Sequence, residues 1–150
     1  MNKTKMKQAD ITTNTPHTKQ IFADIAHLHE VFEAIKPKQN SIFLLNGEVG
    51  SGKTTFVKGF ACFININEEV TSPTFSIAHH YGCIHHYDLY NHTLAEVLEL
   101  GLLEWLSQGG IHFVEWGGED LWNMLKYFHM KSTYIEIIPA DNGRIYKILE

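Results

Sequence analysis

Apolar and polar positions change their spacing several times along the chain, and each change marks an element. Ile21, Ile25, Leu28, Phe32 and Ile35 recur at steps of three or four residues. From Lys19 onward this predicts an amphipathic helix that ends before Lys36-Pro37, because a residue ahead of proline is pushed out of helical backbone. Ser41 to Leu45 is a short apolar run of the kind a buried strand needs, and Thr54 to Phe63 returns to helical spacing through Phe56, Val57, Phe60 and Ala61. Ser76 to Tyr81 and Cys83 to Leu89 are rich in aromatic and β-compatible residues and part near Gly82, which predicts an antiparallel hairpin.

Leu94, Val97, Leu98, Leu102, Leu103 and Leu106 predict a helix or broken helix pair, interrupted at Gly101 and stopped by Gly109-Gly110. A strand over Ile111 to Val114, ending at Glu115-Trp116, and a short helix from Asp120 to about Phe128, capped by that aspartate, come next. Thr133 to Ile138 and Arg144 to Leu149 alternate as strands around Asp141-Asn142-Gly143, a hairpin turn signal. Residues 1–16 are polar, carry no periodicity able to bury a face, and read as a loose arm ahead of one domain over residues 17–150.

The junction after the first strand carries chemistry. Gly47-Glu48-Val49-Gly50-Ser51-Gly52-Lys53-Thr54 fills G-x-x-x-x-G-K-[ST], between an apolar strand and a helix. Gly47, Gly50 and Gly52 allow a turn with positive φ, so that amides from Glu48 to Thr55, Val49 and Ser51 included, can face anionic oxygens. The helix start adds its partial positive charge. Lys53 would reach the β- and γ-phosphates, and the Thr54 hydroxyl would take one position on Mg²⁺. The fold class that follows is α/β: a single-domain P-loop NTPase with a central mixed sheet flanked by helices.

Composition narrows the partners. The formal net charge is −5, and Arg144 is the only arginine among twelve basic residues. A chain with so little positive charge and one bidentate donor is a poor candidate for holding nucleic acid alone, so any nucleic acid would be held mainly by a partner. Cys62 and Cys83 stand at neither metal-ligand nor redox spacing and read as free buried thiols of a reducing cytosol. No apolar stretch of membrane length occurs, which points to a soluble cytoplasmic protein without membrane contact.

Nucleotide hydrolysis also needs an acid at the end of a strand beside the phosphate strand. Glu115 and Asp88 both qualify as catalytic candidates alongside Lys53, and Glu115 joins Thr54 as a candidate metal ligand; which acid does which job is not readable. Thr71, Ser72 and Thr74 flank Pro73 in a segment that could order on a γ-phosphate and release after hydrolysis. The doublets His79-His80 and His85-His86 cannot chelate as pairs, since neighbours in a strand face opposite ways, although a cross-strand site with a hairpin partner stays open. Trp105 and Trp122 read as core or rim aromatics, whereas Trp116, next to Glu115, belongs near the nucleotide.

Taken together, the phosphate loop, Val70-Thr71-Ser72-Pro73-Thr74-Phe75, His86-Tyr87-Asp88-Leu89-Tyr90 and Glu115-Trp116 resemble the TsaE (YjeE) family. Its members are small bacterial ATPases that take part in making N6-threonylcarbamoyladenosine on tRNA. The resemblance implies ATP as substrate, weak hydrolysis by the isolated protein, and association with the TsaB and TsaD proteins, with tRNA engaged only through that complex. It also implies that Lys53 and Thr54 hold phosphates and Mg²⁺, that Ser72 and Thr74 lie in a switch segment, and that Asp88 and Glu115 are needed for hydrolysis, with Trp116 close to the nucleotide. Two positions depart from the family pattern. Asn91 stands where arginine is usual, and Glu48 stands where aspartate is common.

Two other functions compete. A small-molecule phosphotransferase could use the same fold, but a lid of several arginines cannot be built from Arg144 alone. The same shortage predicts slow hydrolysis, with no obvious arginine finger in cis. A module that only senses nucleotide would tolerate loss of Asp88 or Glu115.

Overall fold

The computed structural model describes residues 17–70 and 76–150. The expected arm over residues 1–16 and the hydroxyl residues Thr71, Ser72 and Thr74 lie outside them. Seven strands form one mixed sheet: β1 (Thr18–Ala23), β2 (Ser41–Asn46), β3 (Ala78–Tyr81), β4 (Ile84–Asp88), β5 (Ile111–Glu115), β6 (Thr133–Ala140) and β7 (Gly143–Leu149). Their order is β1-β7-β6-β2-β5-β4-β3. Strands β6, β2, β5 and β4 run parallel, whereas β7, β1 and β3 are antiparallel to their neighbours.

Central strand β2 is buried on both faces, and its alternating side chains serve two cores. Phe43 and Leu45 join Phe113, Ile135 and Ile148 beneath α1 (Leu28–Ile35) and α2 (Lys53–Phe63). Ile42 and Leu44 join Tyr87 and Val114 beneath α3 (Leu94–Leu100), α4 (Leu102–Leu106) and α5 (Glu119–Tyr127). The period of two in a strand sends odd and even residues to opposite sides, so one apolar run supports both layers. On the α2 side, aromatic rings pack closely, Phe113 lying 5.4 Å from Phe43 and 5.1 Å from Phe60 between ring centroids.

Several expected elements differ in detail. Lys19 to Ala23, read as the start of the first helix, belongs instead to β1, which pairs with β7, Ile21 opposite Tyr146. The helix proper begins only at Leu28, after Asp24 accepts from the amide of His27 and opens a single 3-10 turn. Its end before Lys36-Pro37 is as expected, with Lys36 in left-handed backbone. Gly101, at φ 105°, does divide α3 from α4, and Gly82 turns the β3–β4 hairpin. Helix α5 is not capped by Asp120: Gly118 holds the cap position in extended backbone, leaving Glu119 and Asp120 in the first turn, where their charge favours the helix dipole. Both free cysteines are exposed instead of buried, Cys62 near the end of α2 and Cys83 in the β3–β4 turn.

Phe113 is fully buried at the centre of this aromatic cluster. Truncation of Phe113 to alanine is expected to lower unfolding stability by about 3–5 kcal/mol. Phe128→Ala, at a half-exposed ring, should change it by less than about 1 kcal/mol. Urea unfolding followed by circular dichroism measures both.

Candidate nucleotide site

The parallel strands bring their carboxyl ends to one edge of the sheet, and the loop after β2 lies there. A cleft of about 350 Å³ opens at this edge, lined by the loop residues Val49, Gly50, Gly52, Lys53, Thr54 and Thr55. Asp88, Tyr90, Glu115, Trp116 and Arg144 complete the lining. Glu48 and Ser51 belong to the loop without lining the cleft. Ser51 is fully buried, and the Glu48 carbonyl accepts from Lys53.

The glycines are used as the motif demands. Gly52 sits at φ 106°, and a side chain there would come within 2.7 Å of the Arg144 guanidinium. At Gly47, with φ 151°, a Cβ would lie 2.6 Å from the Ile137 carbonyl oxygen. Neither position accommodates a side chain.

Lys53 is buried and donates to the carbonyls of Gly47 and Glu48, at 2.9 Å each. Its ammonium also lies 4.0 Å from the centroid of the Trp116 ring, a cation–π contact. Burial holds the Lys53 pKa below the usual lysine range, and the negative charges of Glu115 and Asp88 oppose that shift. The Trp116 backbone is left-handed at φ 62° while its amide donates to the Leu45 carbonyl, so the strand ladder continues as the ring turns into the cleft. Such a conformation in a bulky residue stores strain on the order of 1–3 kcal/mol.

Register sets the acids. Leu45, just before the loop, pairs with Glu115, and Glu115 pairs with Asp88. The Thr54 hydroxyl donates to Glu115 at 2.9 Å to Oε1 and 3.2 Å to Oε2. Asp88 accepts from the Tyr90 amide at 3.0 Å. Of the residues expected at the site, the structure thus gathers Val49, Gly50, Gly52, Lys53, Thr54, Thr55, Asp88, Glu115 and Trp116 around one cleft. Asn91 is exposed and is not among the lining residues.

Two residues went unassigned in the sequence. Arg144 is the second residue of β7, which runs antiparallel to β6 and so begins at the cleft edge, and its Nε donates to the Ser51 carbonyl. Its status as the only arginine was the one available signal, and it gave no location. His86, read as half of a doublet and as the first residue of the His86 to Tyr90 block but given no role, is fully buried with Nε2 2.6 Å from Glu115 Oε2. Of the cross-strand metal site left open for the doublets, the structure shows only a hydrogen bond between His80 and His85, their Nδ1 atoms 2.6 Å apart. Among the described residues, no three His, Cys, Asp or Glu side chains converge to hold a metal ion. No helix of the described residues is long and apolar enough to cross a membrane.

The sequence profile described as threonylcarbamoyl adenosine biosynthesis protein TsaE matches residues 14–144. The chain belongs to the TsaE family. Among TsaE relatives, the tRNA threonylcarbamoyladenosine biosynthesis protein TsaE of Bacillus subtilis is 35% identical over 115 residues, covering 74% of this chain and 68% of that protein. The protein of the same name from Treponema pallidum is 37% identical over 84 residues, covering 53% of this chain and 62% of its own length. That of a Nostoc species is 35% identical over 103 residues, covering 63% of each. The matches to the Treponema and Nostoc relatives therefore span less than two thirds of those proteins. The crystal structure of Bacillus subtilis YdiB superposes with a TM-score of 0.66 at 22% identity, over 91% of this chain and 88% of that one, and shares the fold.

Gly52→Ala would set a methyl group against Arg144 in backbone that disfavours it. It is expected to lower stability by about 1–3 kcal/mol, read as a reduced urea midpoint with an unchanged slope.

Proposed function

We propose that the protein is an ATP-binding, slowly hydrolysing switch required for N6-threonylcarbamoyladenosine modification of tRNA, acting in the cytoplasm with the TsaB and TsaD proteins. The observation that carries this reading is the hydrogen bond from Thr54 to Glu115 beside the buried Lys53, within a complete phosphate loop of a TsaE family chain. The match covers under two thirds of two of the relatives, so the activity and partners of the whole protein are part of the proposal.

The donor set around the cleft is a hydroxyl and two carboxylates, hard oxygen ligands that fit Mg²⁺ better than a softer ion. Thr54 and Glu115 would hold it, and the bound ion would supply charge neutralisation across the β- and γ-phosphates. Lys53 would exchange the Gly47 and Glu48 carbonyls for phosphate oxygens, while loop amides bind the remaining oxygens. The attacking water would be oriented by one of the acids Glu115 and Asp88. As its oxygen bonds to the γ-phosphorus, the bond to the ADP oxygen breaks and the water's proton leaves toward that acid. Thr71, Ser72 and Thr74 would form the segment that senses the γ-phosphate.

Slow intrinsic turnover follows from charge. Arg144 is tied through Nε to the Ser51 carbonyl, and the chain has no second arginine to enter the transition state. Such a group is worth about a thousandfold or more in rate. The net charge of −5 supports contact with tRNA only through the complex.

Steady-state ATP hydrolysis by the purified chain, alone and with TsaB and TsaD added, tests the proposal. Stimulation by the pair supports it, whereas phosphate appearing on a small acceptor would replace it with a phosphotransferase. Lys53→Ala is expected to abolish productive ATP binding in a calorimetric titration. Glu115→Ala should bind ATP and lose turnover; unchanged turnover would remove the role given to Glu115.

A further inference from the structure

Glu115 stands on the α2 face of the sheet at the end of β5, and its carboxylate is almost completely withdrawn from solvent. A buried carboxylate needs donors, and its direction is set by where those donors lie. The structure supplies two, from different elements. Thr54 of α2 donates from the cleft side, and His86 of β4 meets Oε2 at 2.6 Å with a side chain of no solvent exposure.

The geometry is a consequence of register. His86 pairs with Phe113 and Asp88 with Glu115. The period of two therefore sets His86 on the same face as Glu115, one pleat behind it. From there it reaches the carboxylate from beneath, while Thr54 approaches over the top.

Chemistry assigns the ring. An ionised carboxylate only accepts, so the ring hydrogen in this contact is on Nε2. Nδ1 is buried and has no hydrogen-bond partner among the described residues. Among the described residues, Nε2 is the one ring nitrogen that makes a hydrogen bond. The histidine thus serves as a one-donor prop.

We propose that His86 is a positioning residue for Glu115, its Nε2–H holding the carboxylate in the rotamer that faces Thr54 and the cleft. This inference rests on the hydrolysis reading above. Without the prop, Glu115 has the freedom to turn away from Thr54. The phosphate loop and Lys53, which make no hydrogen bond to His86, keep their own. The effect therefore falls on turnover more than on affinity.

The test compares wild type with His86→Leu, His86→Gln and His86→Asn, measuring ATP affinity by calorimetry and kcat by phosphate release with TsaB and TsaD present. Removing an outer-shell partner of this kind lowers activity by about 10–100-fold, and His86→Leu is expected to show that loss in kcat with ATP affinity within about twofold. A glutamine amide extends to the place of Nε2 and should restore most of kcat. An asparagine amide matches the unused Nδ1 instead and should not.

Wild-type kcat in His86→Leu overturns the positioning role, as does equal behaviour of the Gln and Asn variants or a loss of ATP affinity in His86→Gln that matches its loss of kcat. A wild-type chain that binds ATP and releases no phosphate with its partners overturns the hydrolysis reading and this inference with it, an outcome distinct from the others.

Discussion

Parallel pairing of β2 with β5 is the constraint on which the site depends. It places Leu45 opposite Glu115, one step before the loop turns away, and the Trp116 amide extends the same ladder to the Leu45 carbonyl. The register also decides what faces what. Phe43, Leu45 and Phe113 enter the core beneath α2, and Glu115, of the same parity, meets the first turn of that helix. A slip of one residue would bury the carboxylate's neighbours on the wrong face and turn Glu115 toward α5, so the apolar core and the polar site enforce one alignment. The core supplies most of that insistence.

Charge in the cleft is balanced by enclosure. Lys53 is taken out of water, which by itself disfavours the ammonium, and the two neighbouring acids favour it. Loop carbonyls and the face of Trp116 take up its remaining interactions. The lysine is thus held near where a phosphate would need it, with partners that phosphate oxygens can replace. Preorganisation of this kind limits the side-chain entropy lost on binding.

What the sequence disclosed divides by distance along the chain. The phosphate loop was legible because strand, turn and helix signals are contiguous, and the positive φ values at Gly47, Gly50 and Gly52 are local necessities. The acids at the ends of β4 and β5 could be named from their position after apolar runs. The first helix was started too early because Ile21, Ile25 and Leu28 fit a helical step, while the pairing that makes Thr18 to Ala23 a strand comes from β7 at the far end of the chain. Arg144 and His86 were opaque for the same reason: each acts across a strand pairing that no local pattern encodes. The cap of α5 was misjudged because Gly118, without a side chain to announce itself, takes the position expected of Asp120.

The topology carries a consequence for the order in which the molecule is made. Among the described residues, strand β1 pairs with β7 alone, and β7 is the last of the described strands. Arg144, bound to the Ser51 carbonyl, is part of that same last strand. The phosphate loop and its two acids all precede β7 along the chain, yet one wall of the cleft and the β1 edge of the sheet exist only once β7 has been made and paired. A nascent chain stalled before residue 143 would display a phosphate loop without its complete site. The cleft is therefore complete only once β7 has paired with β6 and β1.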